Sequence, residues 1–241
     1  RVAYLLQQGV PAHRILALTF TNKAAGEMKE RINNIVGIDT ARSLWMGTFH
    51  SIFARFLHYD GHYLGYKSNF TIYDQDNTRS LIRSIIREMN LDDSVYKPAS
   101  VAGRISHAKN NLITAQQYGS IAQITESDKA SRIPEVTAIY RHYAARCFKA
   151  NAMDFDDLLM NINILFRDFP AVLEEYRNRF DYVLVDEYQD TNYAQYIIVH
   201  KLSEKHRNLC VVGDDAQSIY SFRGARIDRK STRLNSSHVS Q

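Results

Sequence analysis

Four short apolar runs frame the chain, at residues 15–20 (ILALTF), 44–49 (LWMGTF), 182–186 (YVLVD) and 209–214 (LCVVGD). They are apolar almost throughout rather than alternating, which is the pattern of strands covered on both faces. Each runs straight into polar residues: Thr21-Asn22-Lys23, His50-Ser51, Glu187 onward, and Asp215-Ala216-Gln217. Helical spacing of apolar residues follows, over 24–34 and 51–64. Strand, polar turn and helix in repeated order predict an α/β fold with a parallel sheet. Ligands of such sheets bind beyond the carboxyl ends of the strands, and all four polar clusters fall on that edge.

The stretch from 74 to about 152 reads differently. Asp74 and Asp76 are N-cap candidates ahead of a helix over 78–90, whose apolar positions are Leu81, Ile82, Ile85, Ile86 and Met89. Further helices are predicted over 98–111, 114–123 and 133–150, with no strand in the block. It reads as an all-helical insertion separating two halves of the α/β domain. Helices over 153–166 and 171–180 lead back to the sheet. The pattern dissolves after Gly224-Ala225 into RIDRKSTRLNSSHVSQ, polar and without a periodic apolar face. This tail reads as disordered, or as translated cloning read-through, the reading favoured here, and it is set aside from the fold.

Composition narrows the class. The chain has 241 residues, 45% hydrophobic and 23% charged, enough for a large core. No apolar run approaches the roughly 20 residues of a membrane helix. Cys147 and Cys210 stand far apart, and an intracellular, reducing, cytoplasmic setting is expected. Nine histidines form no HExxH, and the pair His58 and His62 has no signalled acidic or cysteine partner. The net charge of +4 leans toward a polyanion partner. The tail supplies half of it, through Arg229, Lys230 and Arg233 against Asp228.

The string VLVDEYQDTN at 183–192 carries the sharpest chemistry. Two acids at the end of an apolar strand suit metal-assisted phosphate chemistry: the first carboxylate can hold Mg²⁺ and the second can accept a proton from an attacking water. A solvated turn is the alternative. The longer string VDEYQDTN resembles the nucleotide-hydrolysis motif DExQD of UvrD/Rep/PcrA-type DNA helicases of superfamily one. Other segments agree in the same order: LALTFTNKAAGEMKERI (17–32), GTFHSIFARFL (47–57), MDFDDLL (153–159) and VVGDDAQSIYSFRGA (211–225). The resemblance covers about residues 1–226.

That resemblance implies a RecA-like P-loop NTPase domain, 1A, over 1–73 and 153–226, with the helical domain 1B over 74–152 and the tail at 227–241. It implies ATP and Mg²⁺ as cofactors. Asp186 would serve the Mg²⁺ of MgATP through water, and Glu187 would activate water. Gln217 would sense the γ-phosphate and couple hydrolysis to movement. Gln189 and Asp190 would belong to the network between the nucleotide and the 211–225 motif, with Asp214 and Asp215 either in that network or a solvated pair. For single-stranded DNA, Phe20, Tyr220 and Phe222 are stacking candidates, with core packing as the alternative. Thr21, Asn22, Thr48 and His50 are implied phosphate or sugar contacts, and Arg223 a contact to DNA or nucleotide. Lys23 faces solvent or caps its helix. Trp45, inside a strand, reads as core. The family usually has Trp where Phe222 stands, which implies weaker stacking.

No G-x-x-x-x-G-K-[ST] loop occurs in the chain, and RVAYLLQQGV at the start resembles the helix that follows this loop. A central fragment of a larger motor is therefore expected, inactive as an ATPase by itself. The implied whole protein is a 3′-to-5′ helicase or translocase on single-stranded DNA and DNA junctions, in repair or replication and near the nucleoid. The motor of a RecB/AddA-like helicase–nuclease and a non-catalytic single-stranded-DNA-binding remnant are the alternatives. Intact Asp186, Glu187 and Gln217 argue against the last.

Overall fold

A computed structural model of the chain describes residues 1–213. Asp214, Asp215, Gln217, Tyr220, Phe222, Arg223 and the 227–241 tail lie outside the described residues. The elements run α1 (Val2–Gln7), β1 (Ile15–Thr19), α2 (Asn22–Val36), α3 (Ile38–Arg42), β2 (Trp45–Thr48), α4 (Phe49–Asp60) and β3 (Thr71–Tyr73). There follow α5 (Gln75–Glu88), α6 (Pro98–Asn110), α7 (Ala115–Tyr118), α8 (Ala122–Ala130), α9 (Val136–Lys149), β4 (Ala152–Asp154), α10 (Phe155–Asp168), α11 (Pro170–Arg179), β5 (Tyr182–Val185), α12 (Tyr193–Ser203) and β6 (Leu209–Val211).

The main sheet has the order β2-β1-β5-β6, and every pair in it is parallel. Period-two geometry sends alternate side chains of β1 to opposite faces. Leu16 and Leu18 join Trp45, Val183 and Val185 in a core with α4, α10, α11 and α12. Ile15 and Ala17 join Leu184 in a second core with Val2, Leu5, Ile32 and Ala41 from α1, α2 and α3. Both faces are therefore covered, which is why these strands read as continuous apolar runs. Trp45 is buried, edge-on to Phe56 and Phe180, with Arg55 at 3.8 Å over its ring.

Only helices and turns lie between β3 and β4. They hold a core of their own, built on Ile82, Ile85, Ile86, Val101, Ile105, Val136, Ile139, Tyr140 and Tyr143. Asp74 caps α5, accepting the Asn77 N–H at 2.8 Å, while Asp76 sits in the first turn. Two short strands lie where the pattern gives no sign of them. β3 and β4 pair in parallel, Thr71 beside Ala152 and Tyr73 beside Asp154, so the helical block leaves and rejoins the rest of the chain at one place. Three-residue strands are too short to show a period. The helix predicted over 153–166 accordingly begins at Phe155, since Ala152–Asp154 is strand. The helix predicted over 114–123 is two helices, broken at Gly119-Ser120-Ile121.

Candidate functional site

Register places the strand ends together. Thr19 pairs with Thr48, Leu18 with Val185, and Val185 with Val211, so the carboxyl ends of all four strands share one edge. Central β1 lies between β2 on one side and β5 on the other.

At the β1 and β2 ends the chain turns at once into helices. Thr21 caps α2, its hydroxyl accepting the Ala24 N–H at 3.1 Å, and Asn22 and Lys23 are exposed in the first turn. Thr48 caps α4: its Oγ1 accepts the Ser51 N–H at 3.2 Å and donates to Ser51 Oγ at 3.1 Å. That hydroxyl is buried and committed to the cap. Phe20, half-buried, meets the Phe49 ring with centroids 5.3 Å apart. His50 is half-buried and edge-on to Phe155 at 5.5 Å. Burial lowers its pKa, opposed by the charge of Asp156. Phe20, Asn22, Thr48 and His50 line one cavity of about 260 Å³, together with Ser51, Ala54, Ile72, Phe155 and Leu158. Four residues implied as DNA contacts by two separate motifs thus share one hollow.

Phe155 lies in the MDFDDLL segment but was given no site role there, and Ile72 was not signalled by the sequence. Phe155 precedes Leu158, Leu159 and Ile162 at helical spacing, so the apolar period assigns it to the core. It stands past the core's end and is 46% exposed. Ile72 belongs to the short strand β3, which no pattern marked.

At the β5 end, the Asp186 N–H extends the ladder by donating to Leu18 O at 3.0 Å. Asp186 Oδ1 accepts the Glu187 N–H at 3.0 Å, leaving Oδ2 outside that bond. Glu187 has φ 50° and ψ 40°, a left-handed conformation that a non-glycine residue adopts at a cost of about 1–2 kcal/mol. Such strain at a polar strand end is typical of functional turns. The chain then makes one 3₁₀ turn, Tyr188–Asp190, with Tyr188 N–H donating to Val212 O at 2.9 Å. Gly213 lets the Gln189 side chain approach closely: a Cβ there would lie 2.6 Å from Gln189 Oε1 and would push the end of that side chain aside. Asp190 is exposed. Asn192 then caps α12 in a reciprocal capping box with Gln195.

Mg²⁺ takes oxygen ligands, retains several waters, and is usually held through one or two carboxylates plus substrate phosphates. The half-buried Asp186 carboxylate, with one oxygen already oriented, fits that mode. His58 and His62 are occupied otherwise: His58 stacks on Phe70 at 4.4 Å, and His62 Nδ1 bonds Tyr59 O at 3.0 Å. Among the described residues no group of three or more His, Cys, Asp or Glu is placed to enclose a metal. None of the described helices is long and apolar enough to cross a membrane.

A second acid cluster follows β4. Asp154 caps α10 in a capping box with Asp157. Between them sits Lys109 of α6, 1% exposed, with Nζ 2.6 Å from Asp154 Oδ2 and 2.7 Å from Asp157 Oδ1. Tyr143 donates to Asp154 Oδ2 at 2.8 Å, and the Thr78 hydroxyl lies 3.2 Å from the Tyr143 oxygen. Burial opposes the charge on Asp154, but Lys109 and its hydrogen bonds outweigh it and hold the carboxyl below its usual range. Burial pushes Asp157 up to about 6 in spite of Lys109.

Comparison with known proteins agrees with this geometry. The family described as UvrD/REP helicase N-terminal domain matches residues 1–235. The chain is 46% identical over 228 residues to the ATP-dependent DNA helicase PcrA of Staphylococcus aureus (strain Mu50 / ATCC 700699), covering 94% of this chain and 30% of that protein. It is 44% identical over 229 residues to the protein of the same name from Leuconostoc citreum, covering 95% and 30%. The chain therefore spans 30% of the length of these curated relatives. By fold, motif order and similarity along almost its whole length, the chain belongs to the UvrD/REP helicase N-terminal domain family.

Proposed function

We propose that this chain is the first motor domain of an ATP-dependent DNA helicase or translocase that moves 3′-to-5′ along single-stranded DNA. One observation carries the reading. The cavity holding Phe20, Asn22, Thr48 and His50 and the acid pair Asp186-Glu187 lie at the ends of neighbouring strands on one sheet edge. A motor needs its polymer track and its hydrolysis centre on a shared rigid frame, and a parallel sheet edge supplies one.

In this reading residues 1–73 and 153–226 form the ATPase domain, 74–152 the inserted helical domain, and 227–241 a non-native tail. Asp186 holds Mg²⁺ through water. Mg²⁺ held there would supply charge neutralisation to the transferred phosphate. Glu187 takes the proton of the attacking water. Gln189 and Asp190 carry the state of this turn toward the 211–225 segment, where Gln217 and Arg223 contact the nucleotide. Phe20, Phe155, Tyr220 and Phe222 stack on bases, while Thr21, Asn22, Thr48 and His50 meet the sugar–phosphate chain. The cap roles of Thr21 and Thr48 favour contact through their helix N-termini rather than through free hydroxyls. Without a G-x-x-x-x-G-K-[ST] string to cradle the phosphates, the 241 residues alone are expected to give no DNA-stimulated ATP turnover.

The test is Glu187→Gln in the full-length protein. Nucleotide binding persists and DNA-stimulated turnover falls by about 10²–10⁴-fold, the range for losing a general base. Normal turnover in that variant rejects the assignment.

A further inference from the structure

Lys109 and Asn110 end α6, outside both the acidic turn and the cavity, yet Asn110 touches the neighbours of each. Its Nδ2 donates to Asp156 Oδ1 at 2.9 Å and to Ser106 O at 2.9 Å. Its Oδ1 accepts from Asn192 Nδ2 at 2.6 Å. Both bonds are made by one orientation of the amide, and all three side chains are half-buried. Asp156 follows Phe155, which lines the cavity. Asn192 ends the turn that begins at Glu187, and its own Oδ1 accepts the Gln195 N–H at 2.9 Å to cap α12.

The acidic turn is thus held at two ends. One end is the sheet, through Asp186 N–H on Leu18 O. The other is Asn192 on Asn110. Lys109, locked between Asp154 and Asp157, fixes the end of α6 against the start of α10, so Asn110 moves with the start of α10. A second tie runs parallel: Asn163 of α10 donates to Ala194 O of α12 at 3.0 Å. The helix that begins in the cavity and the helix that begins after the acidic turn are therefore joined twice, once directly and once through the inserted block.

We propose that Asn110 is a positioning residue that couples occupation of the Phe155 cavity by single-stranded DNA to the placement of Glu187. The inference rests on the proposed function above. A shift of Phe155 on a bound base moves Asp156, and through Asn110 and Asn192 it moves the far end of the hydrolysis turn.

The experiment measures ATP turnover by the full-length protein with and without oligothymidylate, for wild type, Asn110→Ala, Asp156→Ala and Asp156→Asn. In Asn110→Ala the DNA-stimulated kcat falls about 3- to 30-fold, while turnover without DNA and the half-saturating oligothymidylate concentration stay within about twofold, as for loss of a coupling contact. A defect in folding alone moves all three together. Asp156→Ala loses stimulation in the same way, and Asp156→Asn, which keeps an Oδ1 acceptor for Asn110, restores it. Full stimulation in Asn110→Ala overturns the inference and leaves the proposed function standing, as does a parallel fall in turnover with and without DNA. A wild type that oligothymidylate does not stimulate overturns both.

Discussion

Two strand ends in this chain look alike in sequence and differ in what surrounds them. Asp154 ends β4 and Asp157 follows in the first turn of α10. Asp186 and Glu187 follow β5 directly. In the first case Asp154 is buried and Asp157 nearly so against the buried Lys109, Asp154 also accepts a tyrosine hydroxyl, and the two cap one another's backbone. In the second they are half-buried, carry a strained backbone at Glu187, and lie on the sheet edge beside the cavity. An acid pair after an apolar run therefore says little until burial and a cation are known. A sealed pair serves stability, and an open pair is available for chemistry.

The comparison breaks most decisively through Glu187, whose Gln substitution in the full-length protein is expected to lower DNA-stimulated turnover by about 10²–10⁴-fold. The same substitution leaves the unfolding free energy of the 241-residue chain within about 0.5 kcal/mol, as for a partly exposed residue with few contacts. Lys109→Met should do the reverse. Removing the cation leaves two largely buried carboxylates without a counter-charge, at a cost of about 3–5 kcal/mol read from the urea midpoint. If Lys109→Met were as stable as wild type, the β4 acids would not be the sealed pair described.

Phe155→Ala tests the open edge from the cavity side. Loss of one stacking face weakens oligothymidylate binding by about 1–3 kcal/mol, measured by fluorescence anisotropy. Unchanged affinity would return Phe155 to a packing role.

A smaller effect sharpens the contrast through pH. Asp157 is raised to about 6 in the folded protein, above its unfolded value. The folded state thus binds the proton more tightly, and this group's contribution is present at low pH and lost as pH rises through 6. Asp154 is shifted down, so its contribution is present above the unfolded value and lost only as pH falls through the lowered one. Between pH 7 and 5 the Asp157 effect acts alone within the pair. The stability of wild type relative to Asp157→Asn should rise by about 1–2 kcal/mol over that window. A flat difference would show that Lys109 keeps both carboxylates charged.

Much of this was legible in the sequence. The four apolar runs gave the sheet because strands covered on both faces need no polar positions. The polar clusters after the first three runs fall on one edge because parallel strands all end on it. The short strands β3 and β4 were hidden by length, and with them Ile72 and the true start of α10. Phe155 was hidden by periodicity, since a helix's apolar face continues in sequence even where the core beneath it has stopped. The structural role of Asp154 and Asp157 depends on Lys109, 45 residues away from Asp154 along the chain. No local pattern relates them. Asn110 was invisible for the same reason: its partners Asp156 and Asn192 lie 46 and 82 residues on.

The most direct test places the two acid pairs side by side in one protein. DNA-stimulated ATP turnover and the urea midpoint would be measured for Glu187→Gln and Asp157→Asn in the full-length protein at pH 7. The account predicts that Glu187→Gln loses turnover with its midpoint unmoved, and that Asp157→Asn keeps turnover within about an order of magnitude while its midpoint shifts. Turnover retained in Glu187→Gln, or abolished in Asp157→Asn at an unchanged midpoint, would contradict the assignment of chemistry to the open strand end.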